Sequence, residues 1–305
     1  MTQIAPGVLM IDTQLGGRKG LTSAYLIGGS QPALIDPGPE TSASLLIGEL
    51  HNQGVGPDDL AWIVLTHIHL DHCGGTGALA AAFPRAQVIV HERGARHIAE
   101  PARLVAASHE VYGATAPLYG GLTATAAGRI VVAPDGHRVP VGDADYLEMI
   151  ATPGHARHHM SVWHVTSGVL VIGDAAGTQL PGSGLYPNVP PSDVDIAAGR
   201  HSLTRVGERE PEIITLSHFG PTPDARNTLA EADDALDRLG HAALEGYRAG
   251  GRAGIAAAID RDLPIDQAIG NPEVLAQWRW LAWDENNISG LEIWAQRQTA
   301  EQAAQ

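Results

Sequence analysis

The stretch THIHLDHCGG, residues 66–75, sets three histidines and an aspartate within six positions, directly after the apolar run Trp62-Ile63-Val64-Leu65. Neutral imidazole and carboxylate are the ligands that zinc, iron and manganese share, and His-x-His-x-Asp-His is too dense for an ordinary polar loop. His67, His69, Asp71 and His72 are therefore candidate metal ligands. Three further apolar runs end in a residue of the same kind. YLEMIATPGH turns through Pro153-Gly154 and presents His155, GVLVIGD presents Asp174, and EIITLSH presents His218. Such strand ends can converge along one sheet edge, where α/β proteins commonly place ligands. Strand-end position alone is not diagnostic, because AQVIVHE also runs into a histidine. His91 lies beside Glu92 and Arg93 with no turn glycine before it, and reads as structural or surface-exposed. Ten of the fifteen histidines fall outside the set, so histidine number by itself carries little weight.

The elements that must position these residues are short. VLMID and SAYLIG flank TQLGGRKG as a hairpin with a glycine-rich tip. PALID, AWIVLT, AQVIVHE, RIVVA, YLEMIAT, SVWHVT, GVLVIGD and EIITLS are further strands. Between them TSASLLIGELHNQG, TGALAAAFP and PSDVDIAAGRHSLTRV read as helices, the last capped by Ser192 or Asp193. Strands mixed with helices predict an α/β fold. After HFGPTPD the texture changes. Leu229, Leu236, Leu239, Ala243 and Tyr247 follow a helical stripe, and PEVLAQWRWLAWDE and ISGLEIWAQRQ continue it. The expected division is a main domain over 1–223 and a helical extension over 224–305.

Charge and cysteine usage narrow the function. Of the 305 residues, 34 are acidic and 19 basic, giving a net charge of −15, and Lys19 is the only lysine. That field repels nucleic acid and anionic membranes. Cys73 is the only cysteine, so there is no intramolecular disulfide. The first residues lack the basic and apolar regions of a signal peptide, and no run approaches a membrane span. A cytoplasmic protein with a small-molecule substrate is expected, without nucleic-acid or membrane partners; a homo-oligomer is left open.

Taken together, THIHLDHCGG, TPGH, GDAAG and SHFG resemble the metallo-β-lactamase superfamily, in its glyoxalase II-like hydrolase branch, over residues 1 to about 223. The resemblance implies an αββα sandwich with a two-metal site at one edge. It implies that His67, His69 and His155 hold the first ion, that Asp71, His72 and His218 hold the second, and that Asp174 bridges them. HERGARHIAEPARL, the loop around YPNVPPSDVD and the terminal ENNISGLEIWAQR look like a prokaryotic subgroup without one agreed substrate. Zinc is the expected metal, with iron and manganese as alternatives. Asp36 in PALIDPG reads equally as a turn residue and as a carboxylate behind a ligating imidazole. Thr66 could orient a ligand, and Cys73 reads as a packed thiol.

The chemistry follows from the ligand types. A water bridging two such ions loses a proton near neutral pH, its pKa falling from ~15.7 toward ~7. The resulting hydroxide would attack a carbonyl while the second ion stabilises the oxyanion, and Asp71 can accept a proton. The expected reaction is hydrolysis of a small ester or lactone, with thioester or amide less favoured. Arg18 and Lys19 correspond by position to a flap over the metals and could receive a substrate carboxylate. Tyr112 and Tyr119, in the insertion over 101–130, could wall the substrate. Tyr186 corresponds to a tyrosine that assists the oxyanion in related lactonases. Residues 224–305 hold 14 acidic side chains against 7 arginines, a poor surface for the polyanion glutathione. One alternative is a single iron on His67, His155 and Asp174 in a dioxygenase of the persulfide type; another is a non-catalytic metal-binding protein.

Overall fold

Alternating apolar runs over the first 223 residues give two mixed sheets in the computed structural model, which describes residues 1–281 and 283–303. The first sheet contains β1 (Thr2–Ala5), β2 (Val8–Asp12), β3 (Ser23–Ile27), β4 (Ala33–Ile35), β5 (Trp62–Val64), β6 (Gln87–His91) and β7 (Ile130–Ala133), side by side in that order. Its first four strands pair antiparallel, and β4 to β7 pair in parallel. The second sheet contains β8 (Arg138–Gly142), β9 (Asp145–Ala151), β10 (Met160–His164), β11 (Val169–Gly173), β12 (Ile213–Leu216) and β13 (Gly220–Pro221), and only β11 and β12 pair in parallel.

Parallel neighbours need crossovers, and these carry the helices. They are α1 (Ala43–Asn52), α2 (Leu70–Cys73), α3 (Thr76–Ala82), α4 (Glu92–Ala99), α5 (Ala102–Tyr112), α6 (Ala116–Tyr119) and, between β11 and β12, α7 (Ile196–Gly207). The extension adds α8 (Ala225–Asp262), α9 (Ile265–Ile269), α10 (Pro272–Trp280) and α11 (Trp283–Ala303). Ala282, inside the expected helical stretch, lies outside the described residues. Among the described residues no helix is long and apolar enough to cross a membrane.

The chain forms two compact units. One comprises residues 1–151, 158–173 and 211–223 and contains both sheets with α1 to α6. Its core lies between the sheets. Val8, Tyr25, Ile27, Ile35, Val64 and Ile89 from the first meet Val139, Leu147, Met149, Met160, Val162 and Val171 from the second. Each contributes roughly 1.5–3 kcal/mol on burial, so this layer is the main support of the ligand-bearing edge. The parallel pairing of β4 with β5 sets their carboxyl ends side by side, with Asp36 next to Thr66 and His67. Ser23 N donates to Ser217 O at 2.8 Å, bringing the His218 end of β12 to the start of β3.

The other unit comprises residues 152–157, 174–210 and 224–305. The residues after 223 open with α8, whose cap is Asp224. Its unit, however, also takes in α7 and the loops that carry His155 and Asp174. The reason is packing: Arg200 of α7 pairs with Asp233 of α8 at 2.8 Å, and Gly154 lies so close to Gly199 that a Cβ would meet its Cα at 2.3 Å. The cap of α7 is Asp195, which accepts from Ala198 N at 2.9 Å, in place of Ser192 or Asp193. The α8 helix folds back at Gly250-Gly251, and a Cβ on Gly254 would fall 2.0 Å from Gly246 O, so only glycine lets the two arms meet.

Candidate metal centre

The ligand-bearing edge is organised by Asp36, which is 1% exposed. Its backbone is left-handed at φ 52°, a conformation that aspartate tolerates better than most residues. Its Oδ1 accepts from Thr66 N at 2.8 Å. Its Oδ2 accepts from Thr66 Oγ1 at 2.7 Å, from Ser217 Oγ at 3.1 Å and from His72 Nδ1 at 3.2 Å. Asp36 also lies in ligand range of His67 and His72, but its lone pairs are already taken by four donors. It is therefore a support for ligands. It touches His72 directly and reaches His67 through Thr66, and the resemblance places it near the first histidine pair.

These contacts decide the tautomers. Thr66 gives its one hydroxyl proton to Asp36, so it must accept from His67 Nδ1, which lies 2.9 Å away. His72 Nδ1 faces the Asp36 carboxylate, and His218 Nδ1 faces Leu21 O at 2.9 Å. Each ring therefore carries its proton on Nδ1 and turns an Nε2 lone pair the other way. Asp71, on α2, receives two of these rings: His72 Nε2 and His218 Nε2 stand 3.6 and 3.5 Å from its Oδ2. Those distances are too long for hydrogen bonds. Two ligands about 2.1 Å from one tetrahedral ion stand about 3.4 Å apart. The donor set thus fits a divalent cation, with Asp71, His72 and His218 as three buried ligands within reach of one another.

The second unit repeats the pattern. His155 Nδ1 donates to Asn188 O at 2.8 Å, and His155 Nε2 stands 3.6 Å from Asp174 Oδ2. Asn188 Nδ2 donates to the same Asp174 oxygen at 2.8 Å. Both side chains are buried. Asn188 was not legible in the sequence, since nothing in YPNVPP distinguishes a supporting amide from a turn residue.

His69 is half-buried, with its ring edge-on to His67 at 4.6 Å. Two histidines that the strand-end pattern leaves out also gather here. The His158 ring lies parallel to that of His67 at 6.3 Å, and the fully buried His159 ring is 5.1 Å from it. The HARHH spelling after TPG was the available signal. Gly173 is fixed by His159: with φ 63° its Cβ would meet His159 Nε2 at 2.4 Å. Cys73 is the packed thiol expected, donating to Ile68 O at 3.3 Å, with burial pushing its pKa well up.

His91 caps α4, its Nδ1 accepting from Arg93 N at 3.1 Å, and partial burial lowers its pKa. Replacing it with alanine should cost about 1 kcal/mol of stability and leave metal content and turnover unchanged. Loss of an ion from His91→Ala, measured on the purified protein, would break the rule that separates it from His67 and His218.

The candidate substrate residues divide. Asp12 closes the hairpin tip by accepting from Gln14 N and Gly20 N, both at 2.9 Å, and leaves Arg18 and Lys19 exposed on it. Tyr112 stacks on buried Tyr119 at 3.9 Å, and burial followed by the Asp71 charge raises its pKa. Tyr186 is a correction. Its hydroxyl donates to Leu263 O at 3.4 Å and its ring packs edge-on against Trp278, so the geometry gives it a packing role in the helical unit in place of oxyanion assistance.

Known proteins were compared with this chain. A solved metallo-beta-lactamase family protein from Thermus thermophilus superposes at a TM-score of 0.65, over 93% of this chain and 95% of that one; at 22% identity it speaks for the fold alone. A metallo-beta-lactamase fold-containing protein of Sulfurisphaera tokodaii is 32% identical over 166 residues, 53% of this chain. The match spans 62% of that relative's length, less than two thirds. A probable metallo-hydrolase of Bacillus subtilis is 27% identical over 225 residues, 68% of this chain and 81% of its own. The family model described as the metallo-beta-lactamase superfamily matches residues 17–219, a span that contains β3 to β12 and every candidate metal ligand described above. With two mixed sheets, a helical carboxy-terminal region and that match, the chain belongs to the metallo-beta-lactamase superfamily.

Proposed function

We propose that this protein is a dinuclear metal-dependent hydrolase of small ester-type substrates, with zinc as its metal. The ligand set is the one the resemblance implies: His67, His69 and His155 for one ion, Asp71, His72 and His218 for the other, and Asp174 shared. The observation that carries the reading is the common tautomer. Four buried imidazoles each commit Nδ1 to an oxygen, and a carboxylate stands 3.5–3.6 Å from Nε2 in three of them. When bound, two divalent ions supply a lowered pKa for water and polarisation of a carbonyl.

The chain's own groups do the rest. Asp71 lies against two ligating rings and is positioned to take a proton as a tetrahedral species forms. Tyr112, half-buried and stacked on the buried Tyr119, suits an apolar wall for the substrate. Arg18 and Lys19, exposed on the hairpin tip, suit a substrate carboxylate. The net charge of −15 and the acidic extension favour neutral or monoanionic substrates over polyanions and nucleic acid. The partner is thus a small molecule, with an ester or lactone preferred to a thioester.

Metal quantification beside a substrate panel tests the proposal. About two zinc ions per chain after chelator-free purification, with turnover on neutral esters or lactones, is the expected result. Less than one ion per chain, or two ions with no turnover on esters, lactones or thioesters, would sink it.

A further inference from the structure

The segment ENNISG near the carboxy terminus is unexplained by the proposed chemistry, yet it lies on α11 with Asn287 only 5% exposed. Asn287 Oδ1 accepts from Val189 N at 2.8 Å, and Asn287 Nδ2 donates to Pro187 O at 3.0 Å. One side chain thus grips the loop immediately before and immediately after Asn188. Gly290, nearly one helical turn on, lets the α11 backbone press against the same loop: a Cβ there would lie 2.0 Å from Val189 O. Asn188, between the two gripped residues, takes the His155 Nδ1 proton on its carbonyl and gives an amide proton to Asp174.

We infer that Asn287 is a positioning residue that makes the helical extension a support for His155 and Asp174: it sets the Pro187–Val189 loop, and the loop sets those two side chains. The inference rests on the metal-hydrolase reading and assigns that site a support outside the span that the family model matches. Only an asparagine satisfies the loop from both sides. Alanine leaves a buried N–H and a buried C=O without this partner, aspartate keeps the acceptor and loses the donor, and glutamine is one methylene too long.

The test uses the full chain, stripped of metal and titrated with zinc against a competing chromophoric chelator, with thermal unfolding of each metal-free variant run alongside. Asn287→Ala should raise the zinc dissociation constant about tenfold to a hundredfold, as loss of a ligand's support does elsewhere. Gly290→Ala should do the same by displacing α11, and Asn287→Asp should fall between wild type and Asn287→Ala. A purely structural role would lower the unfolding temperature and leave zinc affinity within about twofold of wild type, and that result overturns the inference. Should Asn287→Ala fail to fold, the affinity of the milder Asn287→Asp decides on the same criterion. Wild-type protein that takes up no zinc would overturn the metal reading and the inference with it. Wild type that binds zinc while the variants match it would overturn the inference alone.

Discussion

Replacing Asp174 with alanine should abolish turnover on every substrate and bring zinc from about two ions per chain to one or fewer. Asp174 is 2% exposed, accepts from Asn188 and faces His155 Nε2, which suits the ligand role proposed for its carboxylate. The resemblance makes it the ligand common to both ions, and removing a shared ligand disturbs both. The loss of rate should exceed the roughly hundredfold that marks the upper end for a mere supporting partner. Zinc content and steady-state rates, measured on the same preparation, check this. Two tightly held ions in Asp174→Ala would show that the carboxylate bridges nothing. Asp174→Asn refines the result, because it keeps the shape and removes the charge; full metal content with a lost rate would assign Asp174 to charge balance.

The second large effect should come from Asp36→Ala, and it should appear in stability even without metal. Four donors converge on this carboxylate from Thr66, His72 and Ser217, all of them buried. Leaving buried donors without their acceptor costs about 1–3 kcal/mol each before relaxation, so a total on the order of 4 kcal/mol is reasonable. At 2–4 °C per kcal/mol for a chain of this size class, the melting temperature of the metal-free protein should fall by roughly 10 °C. Zinc affinity should fall as well, because His72 loses the group that fixes its tautomer. Asp36→Asn should rescue stability only in part. An amide nitrogen in the place of Oδ2 cannot accept from His72 Nδ1. A change in melting temperature under 2 °C would mean that these donors find other partners and that Asp36 is an ordinary turn residue.

Much of this was legible in the sequence because the chemistry sits at element ends. Apolar runs such as WIVL and VLVIG announce strands by composition, and the polar residue that follows each stands out against them. Ten strands are readable in this way. The remaining three, β1, β8 and β13, are all sheet edges, where burial on one side only weakens the pattern; β8 also contains Pro140, which an edge strand tolerates. The α5 helix left no stripe to read because none of its residues is fully buried.

Support for the ligands was harder to see, since it comes from groups remote in sequence. Asn188 and Asn287 have no local pattern: an asparagine in a proline-rich loop and one in a helix are commonplace until the fold sets Asn188 against His155 and Asp174 and brings Asn287 within 2.8 and 3.0 Å of Val189 and Pro187. Tyr186 failed for the opposite reason. Its place after Asp174 suggested proximity to the reaction, but side-chain direction depends on packing, and Trp278 and Leu263 claim it. Helix packing also joins residues 174–210 to the extension across the break at 223, a grouping with no local signal.

The hub on Asp36 also bears on how the protein comes to exist. Its contacts span 30 residues to Thr66, 36 to His72 and 181 to Ser217. Closing the longest of these costs only about 1.6 kcal/mol more chain entropy than closing the shortest, since the penalty grows with the logarithm of loop length. Timing is a different matter. During synthesis the antiparallel meander β1 to β4 can form from neighbouring segments, and the parallel ladder through β7 can follow, before Ser217 has been made. Until then the Asp36 carboxylate lacks one of its donors, and His218 is absent from the edge. The edge around Asp36 is therefore among the last parts of this unit to close, and a partly made chain can carry the whole first sheet before His218 has joined His72 and Asp71.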